Sequence, residues 1–352
     1  MMDKKSNSKS EIINKRANSK DVAKLAGVSQ SCISKYLNNK PYVSIETRKK
    51  IEQAIEQLGF SPNAIARSLI TKKTNNIGLV ILDTNNLIYS ETVKSIEKAL
   101  KNKKFNLLLV DVNKKHALVD DYIKLLFEKG VDGIIATTAE ISPKCFSFLK
   151  RMNTPIILVH ECLENKNLGI SCVTVDNYYG GYIITNYLIE SGHKNIAYIT
   201  GILDTKKMLD RFSGYKKALE DSGLNFDRNI IELCPNENAK DGYKAAKKIL
   251  SKANKPSAIF CFNDYSAYGV IDYCIENKIK IPEDISIVGF DDIEFSGLGF
   301  INLTTVRQPI EKITECAIKI LSNEIEGNLK TASIIKLKPE LIIRNSVKKI
   351  IK

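Results

Sequence analysis

The sequence has few of the residues that build metal sites or disulfide frameworks. It contains three histidines, which are scattered, and eight cysteines, none of which belongs to a C-x-x-C pair. Zinc sites and disulfide-linked scaffolds need cysteines and histidines at short, regular spacings. The composition therefore predicts no metal and no cofactor, and cysteines that stay reduced as in a cytoplasmic protein.

Long apolar runs are also missing. The chain starts with a polar stretch that no apolar run follows, and no run approaches the length of a membrane span. We therefore expect a protein without a signal peptide or a membrane partner, located in the cytoplasm with the nucleoid.

Groupings that would indicate catalysis are missing as well. The pairs Asp120-Asp121 and Asp291-Asp292 are adjacent in sequence, but adjacent side chains need not converge, and no histidine lies at a metal-binding spacing from them. We interpret them as loop and surface groups, apart from Asp291, and do not expect an enzyme.

Positive charge is concentrated at the start of the chain. Residues 1–76 hold 15 Lys and Arg against 6 Asp and Glu, a net +9, whereas residues 77–352 hold 38 against 34, a net +4. Basic side chains gain affinity for nucleic acid by releasing the counterions condensed on its phosphates. The asymmetry favours a nucleic-acid-binding head on a nearly neutral body, with residues 1–17 as a disordered basic arm.

The stretch DVAKLAGVSQSCISKYL, residues 21–37, has the pattern of a helix-turn-helix. Asn18 and Asp21 are suited to cap a first helix, Gly27 to make the turn, and Ser29 to cap a second helix. At about 100° per residue, the second helix has an apolar side and a polar side. The polar side carries Gln30, Ser31, Ser34 and Lys35. This side is free to contact DNA, although an amphipathic helix pair without that function is the alternative.

Two further helices are predicted after this pair. A third helix is predicted between Ser44, as its cap, and Gly59, as its end, because apolar residues recur every three or four positions between them. The next helix, which opens at Ser61 and Pro62, has about two turns and is marginal alone in water, so we expect it to order on binding. The head covers residues 18–60, and the hinge helix with its linker covers residues 61–76.

The body has the pattern of two similar β/α halves. Buried-strand runs such as NIGLVIL and NIAYIT alternate with helical stretches, and Ile77 and Ile196 are offset by 119 residues, as are Lys98 and Lys217. This alternation predicts an α/β fold with doubly wound parallel sheets. Ligands bind such sheets at the carboxyl ends of the strands, so the pocket is expected in the cleft between the halves.

Motifs along nearly the whole chain from residue 18 resemble one known family. They are DVAKLAGVS, KPYVS-x-ETR, LGF-x-PN-x-IARSL-x-TK-x-T, NNIGLV, GHKNIAYITG, RFSGYKKAL, FCFNDYSAYGV, IPEDISIVGFDD and LTTVRQP. In this order they resemble the lactose and galactose repressor (LacI/GalR) family of bacterial transcription factors. The resemblance implies a periplasmic-binding-protein-like body for effector binding and dimerisation in residues 77–350. Its N-subdomain would cover about 77–175 plus 307–336, and its C-subdomain about 176–306 plus 337–350.

The resemblance also implies which residues contact DNA. The positions that match major-groove contacts are Gln30, Ser31 and Lys35, and those better suited to the DNA backbone are Asn18, Ser29, Ser34 and Asn38. The hinge helix would contact the minor groove through Asn63, Ala66 and Leu69, with Leu69 inserted between base pairs. Ile70 departs from the family, in which many members place a basic residue there.

For the effector, the resemblance implies a cleft built around Arg211. Asn263 and Asp291 match its polar partners, and Asn86 and Tyr89 lie on the opposite side. A planar guanidinium suits paired ligand oxygens, but an ordinary ion pair between Arg211 and a cleft carboxylate is the alternative. Two departures weaken the inference of a sugar: Asn86-Leu87-Ile88-Tyr89 replaces a frequent N-P-F-F, and Glu237 stands near a position that often holds a stacking aromatic.

These features predict a homodimeric, ligand-responsive repressor of a near-palindromic DNA operator, with a small sugar or sugar-like effector. The chain shows no leucine heptads after ELIIRNSVKKIIK, so we expect a dimer and not a tetramer. One alternative is a regulator controlled by a phosphocarrier protein, because the cleft is altered. A cytosolic solute sensor that does not bind DNA is a third possibility.

Overall fold

The computed structural model describes residues 17–37, 42–61, 73–113, 118–163, 169–328 and 331–350. The chain divides into two compact units, Met1–Thr74 and Asn75–Lys352. None of the helices in these described segments is long and apolar enough to span a lipid bilayer.

The first unit includes the head, which contains three described helices: α1 (Ser19–Ala26), α2 (Gln30–Leu37) and α3 (Ile45–Gln57). The predicted capping box is present, because the Asn18 side chain accepts from the Asp21 backbone N–H while the Asp21 carboxylate accepts from the Asn18 backbone N–H. Ser44 caps α3, as predicted. The small core of the head consists of Val22, Ala23, Ala26, Ile33, Val43, Ile51 and Ala54.

The second unit, the body, alternates strands and helices. Its first half contains β1 (Asn76–Ile81), α4 (Leu87–Asn102), β2 (Asn106–Asp111), α5 (Val119–Glu128), β3 (Gly133–Ala136), α6 (Pro143–Arg151), β4 (Ile156–Val159) and β5 (Ser171–Val175). The chain continues with α7 (Asn177–Glu190), β6 (Ile196–Thr200), α8 (Lys206–Asp221), β7 (Ile231–Leu233), α9 (Ala239–Leu250), β8 (Ala258–Cys261), α10 (Asp264–Glu276) and β9 (Ser286–Val288). It ends with β10 (Thr305–Arg307), α11 (Ile310–Ile325), β11 (Ile334–Leu337) and β12 (Glu340–Ile342).

Two parallel sheets organise the body into two lobes. The N-terminal lobe has the strand order β11-β5-β4-β3-β1-β2, and the C-terminal lobe has the order β7-β6-β8-β9. The order β2-β1-β3-β4 in one lobe corresponds to β7-β6-β8-β9 in the other, which confirms the predicted similarity of the halves. β10 and β12 form a separate antiparallel pair. They lie on the chain segments that pass between the lobes.

One prediction about the cysteines is wrong. Cys162 and Cys172 form a disulfide, with Cα atoms 5.5 Å apart and a separation of ten positions in sequence. The parallel pairing of β4 with β5 places Leu158 beside Cys172, and the chain after His160 turns back far enough for Cys162 to reach Cys172. A spacing of ten residues gives no sequence signal for this pairing.

Candidate functional site

The exposed side of α2 is the candidate DNA-contacting surface. Gln30, Ser31, Ser34 and Lys35 are all exposed, whereas Ile33 is fully buried in the core of the head. The predicted polar and apolar sides of this helix are therefore confirmed. Ser29 caps the helix, since its hydroxyl accepts from the Cys32 backbone N–H at 3.2 Å.

Two of the residues predicted to contact the DNA backbone already form hydrogen bonds within the head. The Asn18 side-chain oxygen accepts from the Lys20 backbone N–H at 2.8 Å, which leaves its amide N–H groups for another partner. The Ser29 hydroxyl is also hydrogen-bonded to the Ser31 hydroxyl at 2.9 Å. The remaining predicted DNA contacts, at Asn38, Asn63, Ala66 and Leu69, lie outside the described residues.

The second candidate site is the cleft between the lobes of the body. The strand ends that meet there are followed by His160 and Glu161 after β4, by Asn263 after β8, and by Asp291 after β9. One cavity in this cleft is lined by all five predicted effector residues: Asn86, Tyr89, Arg211, Asn263 and Asp291. The structure therefore brings together residues from widely separated parts of the chain.

Arg211 is held on several sides. Its Nε donates to Asn177 Oδ1 at 2.8 Å, and its Nη1 donates to the Phe262 carbonyl oxygen at 2.6 Å. The guanidinium carbon lies 3.6 Å from the centre of the Phe290 ring. The remaining nitrogen, Nη2, is 3.7 Å from Asp291 Oδ1, so the ion pair considered as an alternative is present in this structure.

The backbone of Arg211 is positioned by close packing of α7 against α8. A Cβ atom added to Gly181 of α7 would lie 2.2 Å from the Arg211 carbonyl oxygen. Only glycine permits this approach, because real Cβ atoms do not come that close to other heavy atoms. Gly181 thus fixes how deeply Arg211 enters the cleft.

Asp291 is the buried carboxylate beside Arg211. Its Oδ1 accepts from Gln308 Nε2 at 2.6 Å, and its backbone has a φ of 127°. Burial raises the pKa of Asp291 to about 7, although the positive charge of Arg211 lowers it in part. Its protonation therefore changes near neutral pH.

The two predicted asparagines have structural bonds as well. Asn263 caps α10 by accepting from the Ser266 backbone N–H at 2.8 Å, and it donates to the Glu237 carbonyl oxygen at 3.3 Å. Asn86 caps α4 in the same way, accepting from the Ile88 backbone N–H at 3.3 Å. A ligand would therefore meet side chains that are already oriented.

Sequence reasoning missed an ion pair across the cleft. Lys207 on α8 lies 2.9 Å from Glu161 at the end of β4, and their side chains are 11% and 4% exposed. Burial opposes the charge on Lys207, but the negative charge of Glu161 and the nearby Tyr89 and Glu237 raise its pKa well above its usual range. The pair joins one lobe to the other.

Sequence signals for this pair did exist. Lys207 precedes Arg211 by one helical turn and so shares its face of α8. Glu161 and His160 follow directly after the buried run PIILV, at the strand end where ligands bind.

Tyr89 does not offer a free aromatic face. It is 5% exposed, its ring meets that of His160 edge-on at 6.3 Å, and its hydroxyl oxygen accepts from Lys207 Nζ at 3.3 Å. The face of Phe290 is covered by Arg211. The rings of Tyr89 and Phe290 are therefore already covered by other side chains.

The space in the cleft has two parts. Beside Arg211 the cavity measures about 30 Å³, which fits a group the size of a water molecule. A neighbouring cavity of about 660 Å³ shares Asn86, Tyr89, Lys207 and Glu237 with it, and this is the size of a small-molecule site.

The other acidic residues singled out in the sequence have structural contacts. Asp292 is not a surface group as expected, because its side chain is 4% exposed and lies 2.7 Å from Arg307 Nε and 2.6 Å from Arg344 Nη2. Asp120 accepts from the Ser142 backbone N–H at 3.1 Å. Asp121 is at the surface beside Lys124, as expected.

Comparison with protein families separates the same two units. Residues 19–63 match the model of bacterial regulatory proteins of the lacI family, and residues 185–347 match a periplasmic binding protein-like domain. Among curated proteins, the HTH-type transcriptional repressor PurR of Vibrio atlanticus (strain LGP32) is 34% identical over 331 residues, which cover 94% of this chain and 98% of the relative. PurR of Pasteurella multocida (strain Pm70) is 33% identical over 330 residues, 94% of this chain and 98% of the relative.

Solved structures give the same fold. A complex of the transcriptional regulator CelR with cellobiose is 26% identical, with a TM-score of 0.69 over 94% of this chain and 100% of that chain. A LacI family regulator from Enterococcus faecium with bound ribose is 26% identical, with a TM-score of 0.70 over 78% of this chain and 100% of that chain. The Lac repressor dimer bound to operator and an anti-inducer shares the fold, with a TM-score of 0.83 at 23% identity over 95% of this chain and 100% of that chain.

The likeness to PurR repressors thus extends through the DNA-contacting head and through both lobes of the body, and the chain belongs to the lacI family of bacterial regulatory proteins.

Proposed function

We propose that this protein is a transcriptional repressor that binds operator DNA as a homodimer and is controlled by a small molecule in the cleft. The observation that carries the proposal is the 34% identity to a transcriptional repressor over 94% of the chain, so that head and body are matched together. Its named relatives are repressors, and we propose no catalytic activity for it.

DNA contact is assigned to the exposed side of α2. Gln30 can pair with adenine through both ends of its amide, Ser31 can donate or accept, and Lys35 can reach guanine or a phosphate. Their exposure leaves these groups available to base edges. Positioning on the DNA backbone is proposed for Asn18, Ser29 and Ser34.

The hinge contacts remain predictions from the resemblance. Insertion of Leu69 into the minor groove, supported by Asn63 and Ala66, would add a second DNA contact to that of α2. Asn38 would add a backbone contact beside α2.

Effector control is assigned to the cleft around Arg211. A ligand that enters between Arg211 and Asn86 touches both lobes and changes the relative stability of their open and closed arrangements. The size of the response is bounded by the difference in the effector's affinity for the two arrangements. CelR and the E. faecium regulator were solved with cellobiose and ribose, which supports a hydroxyl-rich effector here. A phosphocarrier protein as an additional partner is a separate prediction without a supporting contact.

The test is DNA binding by the full-length protein, measured by fluorescence anisotropy on the DNA upstream of its own gene. We expect an affinity that falls steeply with salt and a protein-to-DNA ratio of two chains per site. Ribose or cellobiose, used as first probes, should change the affinity if either is the effector. Binding that is absent, or that does not respond to salt, would contradict the repressor function.

A further inference from the structure

The Cys162–Cys172 disulfide lies at the edge of the cleft between the lobes. Cys162 follows β4, is partly exposed, and lines two cavities of about 660 Å³ and about 450 Å³ that are also lined by Glu161 and Lys207. Cys172 lies in β5 and is 1% exposed. A dissolved thiol can therefore reach the bond from the cleft, and it meets the sulfur of Cys162 first.

The six other cysteines lack these features. Four of them are buried, and burial raises the pKa of each thiol well above its usual range, which suppresses the reactive thiolate. They are Cys145, Cys234, Cys261 and Cys274. Cys32 and Cys316 are partly exposed, but neither is bonded to a second sulfur. Thiol–disulfide exchange within one chain is therefore confined to the Cys162–Cys172 pair.

The disulfide ties the segment after β4 to β5. His160 is fixed on β5 as well, because its backbone N–H donates to the Val173 carbonyl oxygen at 3.0 Å and its carbonyl oxygen accepts from the Thr174 hydroxyl at 2.9 Å. β5 is itself held between β4 and β11. Beyond His160, the backbone of residues 161–163 forms no hydrogen bond with a described residue. The disulfide is therefore the described attachment at this end of the segment.

His160 has a backbone conformation that depends on such attachments. Its φ is 68°, in the left-handed region that non-glycine residues adopt only when neighbouring contacts hold them there. The hydrogen bonds to β5 act on His160 itself, and the disulfide acts two positions further along the chain. Glu161 lies between the two attachments, so its position depends on both.

Glu161 carries the ion pair that joins the lobes. Its carboxylate is 2.9 Å from Lys207 Nζ, and both side chains are almost fully buried. Lys207 has two other polar neighbours, the Tyr89 hydroxyl at 3.3 Å and the Glu237 side chain in the same cavity. A buried charge that loses its partner is strongly destabilising. If Glu161 moves away, Lys207 must turn toward water, and the contact between the lobes is lost.

We propose that Cys162 and Cys172 are a reversible thiol-modification site whose oxidation state controls this contact between the lobes. With the disulfide formed, Glu161 stays against Lys207. With both cysteines reduced, the segment after His160 loses its attachment to β5, and Glu161 separates from Lys207. The site adds to the proposed function a response to small thiols and their disulfides, and it requires neither DNA nor an effector.

The reaction is thiol–disulfide exchange with a low-molecular-weight thiol such as glutathione. The small thiolate attacks Cys162 Sγ, forms a mixed disulfide there and expels the Cys172 thiolate, which takes up a proton. A second small thiolate attacks the sulfur of the bound small molecule and expels the Cys162 thiolate, which is protonated in turn. Two small thiols are thus oxidised to one small disulfide, while the protein disulfide is reduced to two thiols. The reverse steps form the bond again, with the small disulfide as the oxidant.

The first experiment tests this exchange in the folded, full-length protein. Samples are taken through glutathione buffers from oxidising to reducing and back, free thiols are alkylated, and the alkylated cysteines are identified by mass spectrometry. We expect Cys162 and Cys172 to gain and lose alkylation together, and glutathione to be found on Cys162 in the Cys172→Ser variant. A bond that no glutathione buffer reduces, or two thiols that never form it again, would overturn the proposal.

The second experiment tests the contact between the lobes. Acetic anhydride acylates accessible lysines, and the rate at Lys207 is measured by mass spectrometry on oxidised and on reduced protein. We expect acylation of Lys207 to be about tenfold faster after reduction and in Cys162→Ser, because its side chain is no longer held in a buried ion pair. Lys217 on the same helix is the internal reference, since its ion pairs are at the surface. Equal rates at Lys207 in both oxidation states would overturn the proposal.

Two controls separate this local movement from unfolding. Cys261 is fully buried, so its thiol is alkylated only when the C-terminal lobe unfolds, and exposure of Cys261 together with Lys207 would contradict a local movement. Cys316→Ser removes a partly exposed cysteine without a disulfide partner, and it should leave the Lys207 rates of both oxidation states unchanged. The same acceleration in Cys316→Ser as in Cys162→Ser would also overturn the proposal. Salt-dependent DNA binding, measured separately, reports on the proposed function itself.

Discussion

The proposed DNA-contacting side of α2 and the proposed effector cleft around Arg211 hold their side chains in opposite ways. Gln30, Ser31 and Lys35 are exposed on one short helix. In the cleft, Arg211 and Asp291 are each about 95% buried, and neighbouring side chains and carbonyl groups fix their positions.

Because of this difference, DNA recognition is proposed to depend on exposed side chains, and control by the effector on buried ones. An exposed side chain can be replaced at little cost to folding, so the DNA sequence that α2 recognises is free to change. A buried cleft residue is coupled to the stability of both lobes, and ligand binding can therefore act on the whole body. Mutations should show this contrast directly.

The largest effect is expected for Arg211→Ala. It removes the hydrogen bonds to Asn177 and to the Phe262 carbonyl and takes the positive charge away from Asp291, which must then bind a proton to stay buried. Loss of one partner of a buried pair costs about 3–5 kcal/mol. Chemical denaturation should show this loss, and effector titration should show no remaining response.

The control for this variant is Lys217→Ala on the same helix. Its ion pairs with Glu220 and Asp221 are at the surface, where such pairs contribute little. A similar loss of stability in both variants would mean that α8, and not the cleft, is sensitive.

A smaller effect is expected for Gly181→Ala. The added methyl group would overlap the Arg211 carbonyl oxygen, so α7 and α8 must separate at a cost of about 1–3 kcal/mol. Because this shift moves Arg211, the effector affinity should fall together with the stability. Gly299→Ala is the matched control, since no atom lies within 4 Å of the added Cβ, and unchanged effector affinity in Gly181→Ala would contradict the positioning argument.

The contrast between the two sites also explains what the sequence could predict. The exposed side of α2 follows from helical periodicity, because Ile33 must be buried and Gln30 then faces outward. The two lobes follow from the repeated strand and helix pattern. The strand pattern predicts a cleft between the lobes, but it is the resemblance to the LacI/GalR family that implies Arg211, Asn263 and Asp291 as its residues.

Contacts between distant residues could not be predicted in this way. The pairing of Lys207 with Glu161 depends on how the lobes approach each other, and the hydrogen bond from Gln308 to Asp291 depends on the bridge between Asp291 and Arg307. The Cys162–Cys172 disulfide depends on the register of β4 and β5. Single-sequence patterns describe one element at a time, and these contacts join elements.

The pH dependence of stability should distinguish the cleft from the head, which contains no histidine within residues 1–74. The pKa of His160 falls to about 3 on burial, below the unfolded value of about 6.5. The unfolded chain therefore binds a proton that the folded chain does not, and stability is lost as the pH falls below about 6.5. The free energy of unfolding of the wild type should therefore fall by about 2 kcal/mol more than that of His160→Gln between pH 7 and pH 5.

Two acidic groups change the stability with pH in the direction opposite to His160. The comparison with His160→Gln is therefore needed to isolate the contribution of the histidine. Burial raises the pKa of Asp264 to about 6 and that of Asp291 to about 7, above the unfolded value of about 3.9. Their folded forms bind protons first, so they add stability as the pH falls from about 7 to 4. Urea denaturation of both proteins at the two pH values isolates the histidine, and parallel curves would contradict its buried, neutral state.

The smallest effect on the protein itself is expected for Gln30→Ala on the exposed side of α2. Its amide makes one hydrogen bond within the head, to the Ser19 hydroxyl at 3.2 Å, so unfolding should change by less than about 0.5 kcal/mol. DNA affinity should nevertheless fall by about 1–3 kcal/mol, and discrimination at one base pair should weaken, because a bidentate contact to a base edge is lost. Gln53→Ala on α3 is the control, since Gln53 is equally exposed but lies on another helix. If both glutamine variants bind operator and mutated operator alike, α2 does not read the sequence through Gln30, and the separation of recognition from folding must rest on Ser31 and Lys35.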